Sequence, residues 1–476
     1  MKAKYLLVGA LMLGIAVPAL AQDDATTAAI KSMAKVIKSD APADKKEDQL
    51  KDLFKPYKKD PKVMVGVGQA YLEAKDYDNA EKYAQMAIKR DKNNGDAYVL
   101  LGDIAAGKDD GGQASAWYTQ AMRLDPKNPI GYRRYAMVNS KVNPEDAVST
   151  LEELRKQRPD YPVDIISAEI YDKAGNLDKA LEYYNKVDKT QMEEYQLVSY
   201  ALAYFLKGEF QKSLDVVTFA LGKFPKNPGL NRLSFYNLTN LQRYDEALVS
   251  ADALFNKSED AKITESDYLY SGYANLGKKN YDEAVKQFQK SIEMNKDNEA
   301  DRIDAQKKIA EAYKEKGDYT NAIAAYETYL KGQKAQTAND LNDLARIYMY
   351  AADDSTKTAA EKEQLYMKAD GIYATMAEKI PSVADFATLQ RAHIGFALDP
   401  DTKKGTAKPF YEKLVEIIKA KTTKGAQDND RLVEAYSYLG YYFLQKNEKA
   451  NSDVYWKKIL EIDPNNAKAK QVLGIK

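Results

Sequence analysis

Residues Gly68–Asn94 read GQAYLEAKDYDNAEKYAQMAIKRDKNN, and the pattern returns down the chain. In a 34-residue frame counted from Pro61, Gly68 stands at position 8, Tyr71 at 11, Ala80 at 20 and Ala87 at 27. One period later come Gly102, Ala105, Ala114 and Ala121, with Pro126 at position 32. A frame from Glu194 gives Ala201, Tyr204, Ser213, Ala220 and Pro225, and one from Val433 gives Gly440, Phe443, Ser452, Ile459 and Pro464. Self-similarity at a fixed period of this length is the mark of a repeat array.

The small residue at position 20 can be followed throughout: Ala80, Ala114, Ala147, Ala180, Ser213, Ala247, Ala284, Ala322, Ala369, Ala407 and Ser452, eleven repeats over Pro61 to Asn466. Position 8 is small in most copies. Small residues at both places let two antiparallel helices approach, since overpacking there costs roughly 1–3 kcal/mol. Phe235 breaks the rule at position 8, which predicts that the sixth repeat is locally widened or shifted.

Apolar spacing within each copy is helical: Tyr71 and Leu72 close one helix, Asp76 lies in the turn, and Ala80, Tyr83, Ala84 and Ala87 mark one face of the next. Lys316-Gly317-Asp318 and Lys207-Gly208-Glu209 read as turns, and Asp125-Pro126 and Asp463-Pro464 as helix ends. Helices of about 12–14 residues are marginal alone, so stability must come from stacking of neighbours. The ninth repeat is stretched, with helices near Asp340–Ala352 and Glu361–Lys379 and a loop insertion near 353–360. Asp399–Gly405 reads as the turn of the tenth, and Thr422–Asn429 as a linker before the last.

This pattern resembles the tetratricopeptide repeat, a helix-turn-helix unit. The resemblance implies an all-α fold, an α-α superhelix (a solenoid of about eleven repeats) with a C-terminal capping helix. It also implies that positions 2, 5, 9, 12 and 13 of the first helix line a concave groove. Those positions give the candidate partner-binding residues Arg133, Phe205, Arg232, Tyr236, Tyr273 and Tyr441, with Arg134 taken beside Arg133 at position 6. Aromatics and Arg are the usual content of binding hot spots, and Arg232, Tyr236 and Tyr273 form the leading group. Chaperone-binding members of the family clamp a peptide carboxylate with Lys at position 5 and Asn at position 9. Here the basic position-5 residues Arg133, Arg232 and Lys307 are followed at position 9 by Met137, Tyr236 and Glu311, so that clamp is absent.

Composition excludes much chemistry. The 476 residues hold 71 Lys+Arg, 71 Asp+Glu, one His and no Cys. No disulfide, thiolate metal site, Cys nucleophile or His cluster can form, and a balanced charge argues against a nucleic-acid partner. Neither a metal nor a cofactor is called for, and His393 reads as a structural or simple surface residue. Lys2 and Lys4, the apolar run Tyr5–Val17 and the ending Pro18-Ala19-Leu20-Ala21 read as a signal peptide cleaved after Ala21. Cleavage leaves 69 basic against 71 acidic residues, no Cys for a lipid anchor and no transmembrane segment. Predicted regions are the signal at 1–21, a helical cap or degenerate repeat at 22–60, repeats 1–6 at 61–264, repeats 7–11 at 265–466, and the capping helix at 467–476. Asp354-Ser355-Thr356 resembles the O-glycosylation acceptor of some Bacteroidetes, with Ser355 as the modified residue.

These features together point to an exported, non-enzymatic scaffold of a bacterial envelope assembly, most simply periplasmic, with a protein or peptide partner in the groove. The alternative is a ligand-capture protein that binds glycan or another nutrient at the aromatic groove.

Overall fold

The computed structural model describes residues 25–295 and 298–475. The expected signal segment lies outside them. Among the described residues the chain is all α, with 25 α-helices and no strand. It forms two compact units, one ending at Leu233 and one beginning at Ser234, the division falling within the helix Pro228–Asn240.

The first unit opens with the helices Ala25–Ile37 and Ala43–Phe54. Five helix pairs follow: Pro61–Glu73 with Tyr77–Arg90, Gly95–Gly107 with Gly111–Leu124, Pro129–Asn139 with Pro144–Gln157, Val163–Lys173 with Leu177–Tyr184, and Glu194–Leu206 with Phe210–Lys223. In the second unit the sixth repeat continues with Tyr244–Asp252, prolonged by a π-helical turn at Ala253–Lys257. Then come Glu265–Gly277 with Tyr281–Met294, Glu299–Lys316 with Tyr319–Gly332, Ala338–Asp353 with Ala359–Lys379, Ala384–Leu398 with Lys408–Lys419, and Ala426–Gln445 with Lys449–Ile462. The helix Ala467–Leu473 closes the array, with Val472 and Leu473 packed on the core.

Each pair reverses direction through the same local chemistry. The residue before the second helix is Asp or Asn in many copies, and its side chain accepts a backbone N–H of the first turn: Asp76 from Asn79, Asp110 from Gln113, Asp318 from Asn321. Such a cap satisfies a donor the helix cannot. The residue just ahead of the cap has positive φ, as at Lys75 (61°), Lys279 (63°) and Gly317 (83°). That left-handed residue is what folds the chain back within three or four residues.

Two expectations need correction. Helix length within the pairs is not uniform: it runs from 8 residues at Leu177–Tyr184 to 18 at Glu299–Lys316, 20 at Ala426–Gln445 and 21 at Ala359–Lys379. The linker before the last repeat is shorter than Thr422–Asn429, because Asp428 accepts the Gly425 N–H at 3.0 Å and starts the helix at Ala426. The sixth repeat, where Phe235 stands at position 8, departs from the others in the π-helical turn that ends its second helix and in which position carries the large side chain.

The small residue at position 8 faces position 24, four residues after the small position 20. Seven repeats carry a buried aromatic there: Tyr118, Tyr184, Phe288, Tyr326, Tyr373, Tyr411 and Trp456. A Cβ built on Gly102 would lie 2.3 Å from the Tyr118 ring, one on Gly272 2.4 Å from Phe288, and one on Gly440 2.7 Å from Trp456. Small and large are exchanged in the sixth repeat. Phe235 is fully buried at position 8, and Ala251 occupies position 24. Total volume in the layer is conserved, the kind of change cores tolerate best.

Tyrosine supplies much of this packing, which gives a testable alkaline behaviour. Burial pushes the phenols of Tyr83, Tyr373 and Tyr438 up to about 12. Burial pushes Tyr118, Tyr184 and Tyr411 higher still. A folded value above the unfolded value of about 10 means a contribution present in full below pH 10 and lost as pH climbs through the folded value. Absorbance at 295 nm should therefore show a late stage, in which the buried set ionises near pH 12 together with loss of the helical signal at 222 nm. A single wave near pH 10 with helix retained would refute this.

Candidate functional site

Large apolar side chains left in water are normal when scattered and informative when they concentrate on one face. Among the described residues sixteen are exposed, and nine of these stand at positions 2, 9, 12 or 13 of a first helix. In the first unit they are Ile130 and Met137 of the third repeat and Tyr195, Leu202 and Leu206 of the fifth. In the second unit they are Tyr350, Phe396, Tyr441 and Leu444, from the last three repeats. Four positions of 34 thus hold more than half of the exposed apolar groups.

The second unit also holds a cleft of about 500 Å³ along the first-helix faces of its early repeats, lined by Asn240, Gln242, Tyr244, Tyr270, Tyr273, Tyr281 and others. Its architecture starts from Asp267. This carboxylate is fully buried, accepts the Thr264 N–H at 2.8 Å where the helix begins, and accepts the Tyr236 hydroxyl at 2.8 Å. So anchored, the Tyr236 ring stacks on Tyr270 with centroids 3.8 Å apart and planes 9° apart. Tyr270 in turn meets Tyr273 edge to face at 5.9 Å. The Tyr273 hydroxyl donates to Asp304, and burial together with that carboxylate raises its pKa strongly. On the opposite wall Tyr244 lies against Gly277, where a Cβ would meet the ring at 2.3 Å. Only glycine lets these two repeats close that far.

The charges of the cleft are mostly spent. Lys308 pairs with Glu311 at 2.8 Å, and Glu315 with Lys314 at 3.1 Å. The Lys279 ammonium, the Gln242 amide and the hydroxyls of Tyr244 and Tyr281 have no partner among the described residues.

The structure sorts the candidate residues. Tyr273 lines the cleft. Tyr236 does not offer itself to a partner: it is 8% exposed, and its ring and hydroxyl are consumed in holding Tyr270. Arg232 is half-buried and already engaged. Arg134 pairs with Asp103 at 3.1 Å, a carboxylate that also accepts the Tyr118 hydroxyl. Arg133 lies beside the Tyr161 hydroxyl, where its charge opposes the upward pKa shift that burial gives that phenol. Phe205 is half-buried against Phe210. Tyr441 remains 41% exposed, its hydroxyl accepting from Gln445. Ser355 is exposed in its turn. Sequence reasoning missed Tyr270 at position 6 and Tyr244 and Tyr281 at position 17. The signal was there, since Tyr recurs at position 17 as Tyr77, Tyr244, Tyr281 and Tyr319.

His393 brings Nε2 to 2.6 Å from Glu434 Oε1, which also accepts the Tyr411 hydroxyl at 2.9 Å. This links the first helices of the tenth and eleventh repeats.

Comparison with known proteins gives a consistent picture. Two family models described as tetratricopeptide repeat match, one at residues 67–129 and 271–340 and the other at 166–191. No curated protein matches. The chain is similar to the C-terminal part of a repeat-containing protein from Cytophaga hutchinsonii, at 28% identity and TM-score 0.45, over 58% of this chain and 99% of that one. It is similar to a tetratricopeptide repeat protein from Parabacteroides merdae, at 17% identity and TM-score 0.34, over 52% and 98%. It is also similar to YrrB, described as having an unusual peptide-binding site, at 16% identity and TM-score 0.30, over 38% and 94%. Its helix pairs, its register of small residues and its matched segments show that the chain carries tetratricopeptide repeats.

Proposed function

We propose that this protein is an exported scaffold of the bacterial cell envelope that holds a protein partner against the first-helix faces of its repeats. The observation that carries the reading is the concentration of exposed apolar side chains at four positions of those helices. The signal-like start at Lys2–Ala21 supports export to the periplasm. No helix among the described residues is long and apolar enough to cross a membrane.

The test is site-specific photo-crosslinking in the cells that make the protein. Probes at Leu202 and Tyr441, on first helices, are expected to trap a partner. Probes at Val249 and Met367, exposed on second helices, are expected to trap none. Equal trapping at all four would overturn the reading. N-terminal sequencing of the exported form should begin at Gln22. In the same form we place an O-glycan on Ser355. Asp354 accepts both the backbone N–H and the hydroxyl of Thr356, which ties up that hydroxyl and leaves Ser355 open. Intact mass should fall by one glycan in Ser355→Ala; an unchanged mass would sink that assignment.

A further inference from the structure

The cleft of the second unit says more about its occupant than the apolar faces do. We infer that it binds an extended peptide segment of the partner through a carboxylate, held by Lys279 and the hydroxyls of Tyr244 and Tyr281, with a neighbouring apolar or aromatic side chain against the tyrosine rings. The inference rests on the scaffold reading and specifies the chemistry of one of its contacts.

Three observations support an acidic occupant. The carboxylates in the lining, Glu311 and Glu315, are paired with Lys308 and with Lys314 behind the wall, so Lys279 is the charged side chain of the lining that has no ion pair among the described residues. The groups with bonding capacity to spare are an ammonium, an amide and two phenols, a donor-rich set. A carboxylate is the acceptor that such donors bind best, because charge-assisted bonds are about twice as strong as neutral ones. The rest of the wall is aromatic, with Leu276, and gives amphipathic contact area without new charge. Tyr270 is already fixed by Tyr236, so little side-chain entropy is lost there on binding. A volume of about 500 Å³ suits a few side chains and not a folded domain. The carboxylate donors Lys279, Tyr244 and Tyr281 stand at positions 15 and 17, outside the position-5 and position-9 pattern of the clamp.

The same chemistry could come from an Asp or Glu side chain or from a chain terminus, and the experiment separates them. A display library of random twelve-residue peptides is panned on the full chain from Gln22 onward. Enriched peptides are then measured by fluorescence anisotropy as matched pairs, acid against amide at the side chain and free against amidated at the C-terminus. Enrichment of an acid beside an aromatic residue or proline is expected. Amidation of the responsible carboxylate should weaken binding about tenfold. Lys279→Gln should weaken the acidic peptide by the same factor and leave its amide unchanged. Tyr244→Phe/Tyr281→Phe should weaken it about threefold to tenfold. Far-UV thermal melts of each variant check that the turn at Lys279 still forms.

Enrichment of basic or uncharged peptides would overturn the inference. So would acidic peptides indifferent to Lys279→Gln, or Lys279-dependent binding of an acidic oligosaccharide such as oligogalacturonate with no peptide enriched. If crosslinks at Leu202 and Tyr441 persist in any of these cases, the scaffold reading stands and only the carboxylate assignment falls. Loss of both ends both.

Discussion

Phe235→Ala is expected to destabilise the protein by about 3–5 kcal/mol, the range for truncating a fully buried aromatic. In seven other repeats position 24 carries a buried aromatic, and the rings of Tyr118, Phe288 and Trp456 are seated over the glycine at position 8. In the sixth repeat the ring comes from position 8, and Ala251 at position 24 has nothing to extend into a void. The cavity would therefore remain. Phe235→Ala/Ala251→Phe restores the arrangement of the other repeats and should recover at least half of the loss. Ala251→Phe alone overpacks the layer and should cost roughly 1–3 kcal/mol. The sign of the coupling between the two changes is the decisive quantity, read from urea unfolding of the four proteins. A loss under about 1 kcal/mol for Phe235→Ala, or a double variant no better than the worse single, would show that position 24 does not share this space.

The same pair shows what could be read before the structure. The period was legible because small residues must recur wherever helices touch, and their spacing survives drift of everything else. The exchange at Phe235 was visible as an exception, but its resolution required knowing that position 8 meets position 24. The groove assignments show the converse. Position counting gives the angle at which a side chain leaves its helix and says nothing of what lies across from it. Tyr236 has the right angle for a partner, yet its hydroxyl finds Asp267, 31 residues onward. Arg134 likewise finds Asp103 from the preceding repeat. Tyr270 was passed over because position 6 is not a groove position in the family pattern, although stacking on Tyr236 turns it into a wall of the cleft. Helix lengths were misjudged for a local reason. Caps such as Asn298, whose side chain accepts the Asp301 N–H, and Thr358, which forms a reciprocal pair with Glu361, start helices earlier than the repeat frame suggests.

Asp385→Ala is expected to cost about 3–5 kcal/mol as well, by a different mechanism. Asp385 is 8% exposed at the start of the helix Ala384–Leu398. One oxygen accepts the Lys421 ammonium at 2.7 Å and also the Arg431 guanidinium; the other accepts the Phe386 N–H at 2.7 Å. Lys421 also bonds Asp428, so two anions balance two cations across the tenth and eleventh repeats. Removing one anion leaves two cations sharing Asp428 in a half-buried site. Because a repeat contacts mainly its neighbours, the damage should stay local. Amide exchange should speed up across residues 408–473 and remain unchanged in the first unit. Burial opposes ionisation of Asp385, but Lys421, the Phe386 amide and Arg431 outweigh it and hold the carboxyl below its usual range. A depressed folded value means the contribution is complete above the ordinary Asp value near 3.9 and is lost as pH falls through the lower folded value. The stability gap between wild type and Asp385→Ala should therefore be full at pH 7, still present at pH 5, and shrink only in stronger acid. A gap that is absent at pH 7, that widens in acid, or that appears equally in the first unit would show that this carboxylate does not tie the last repeats together.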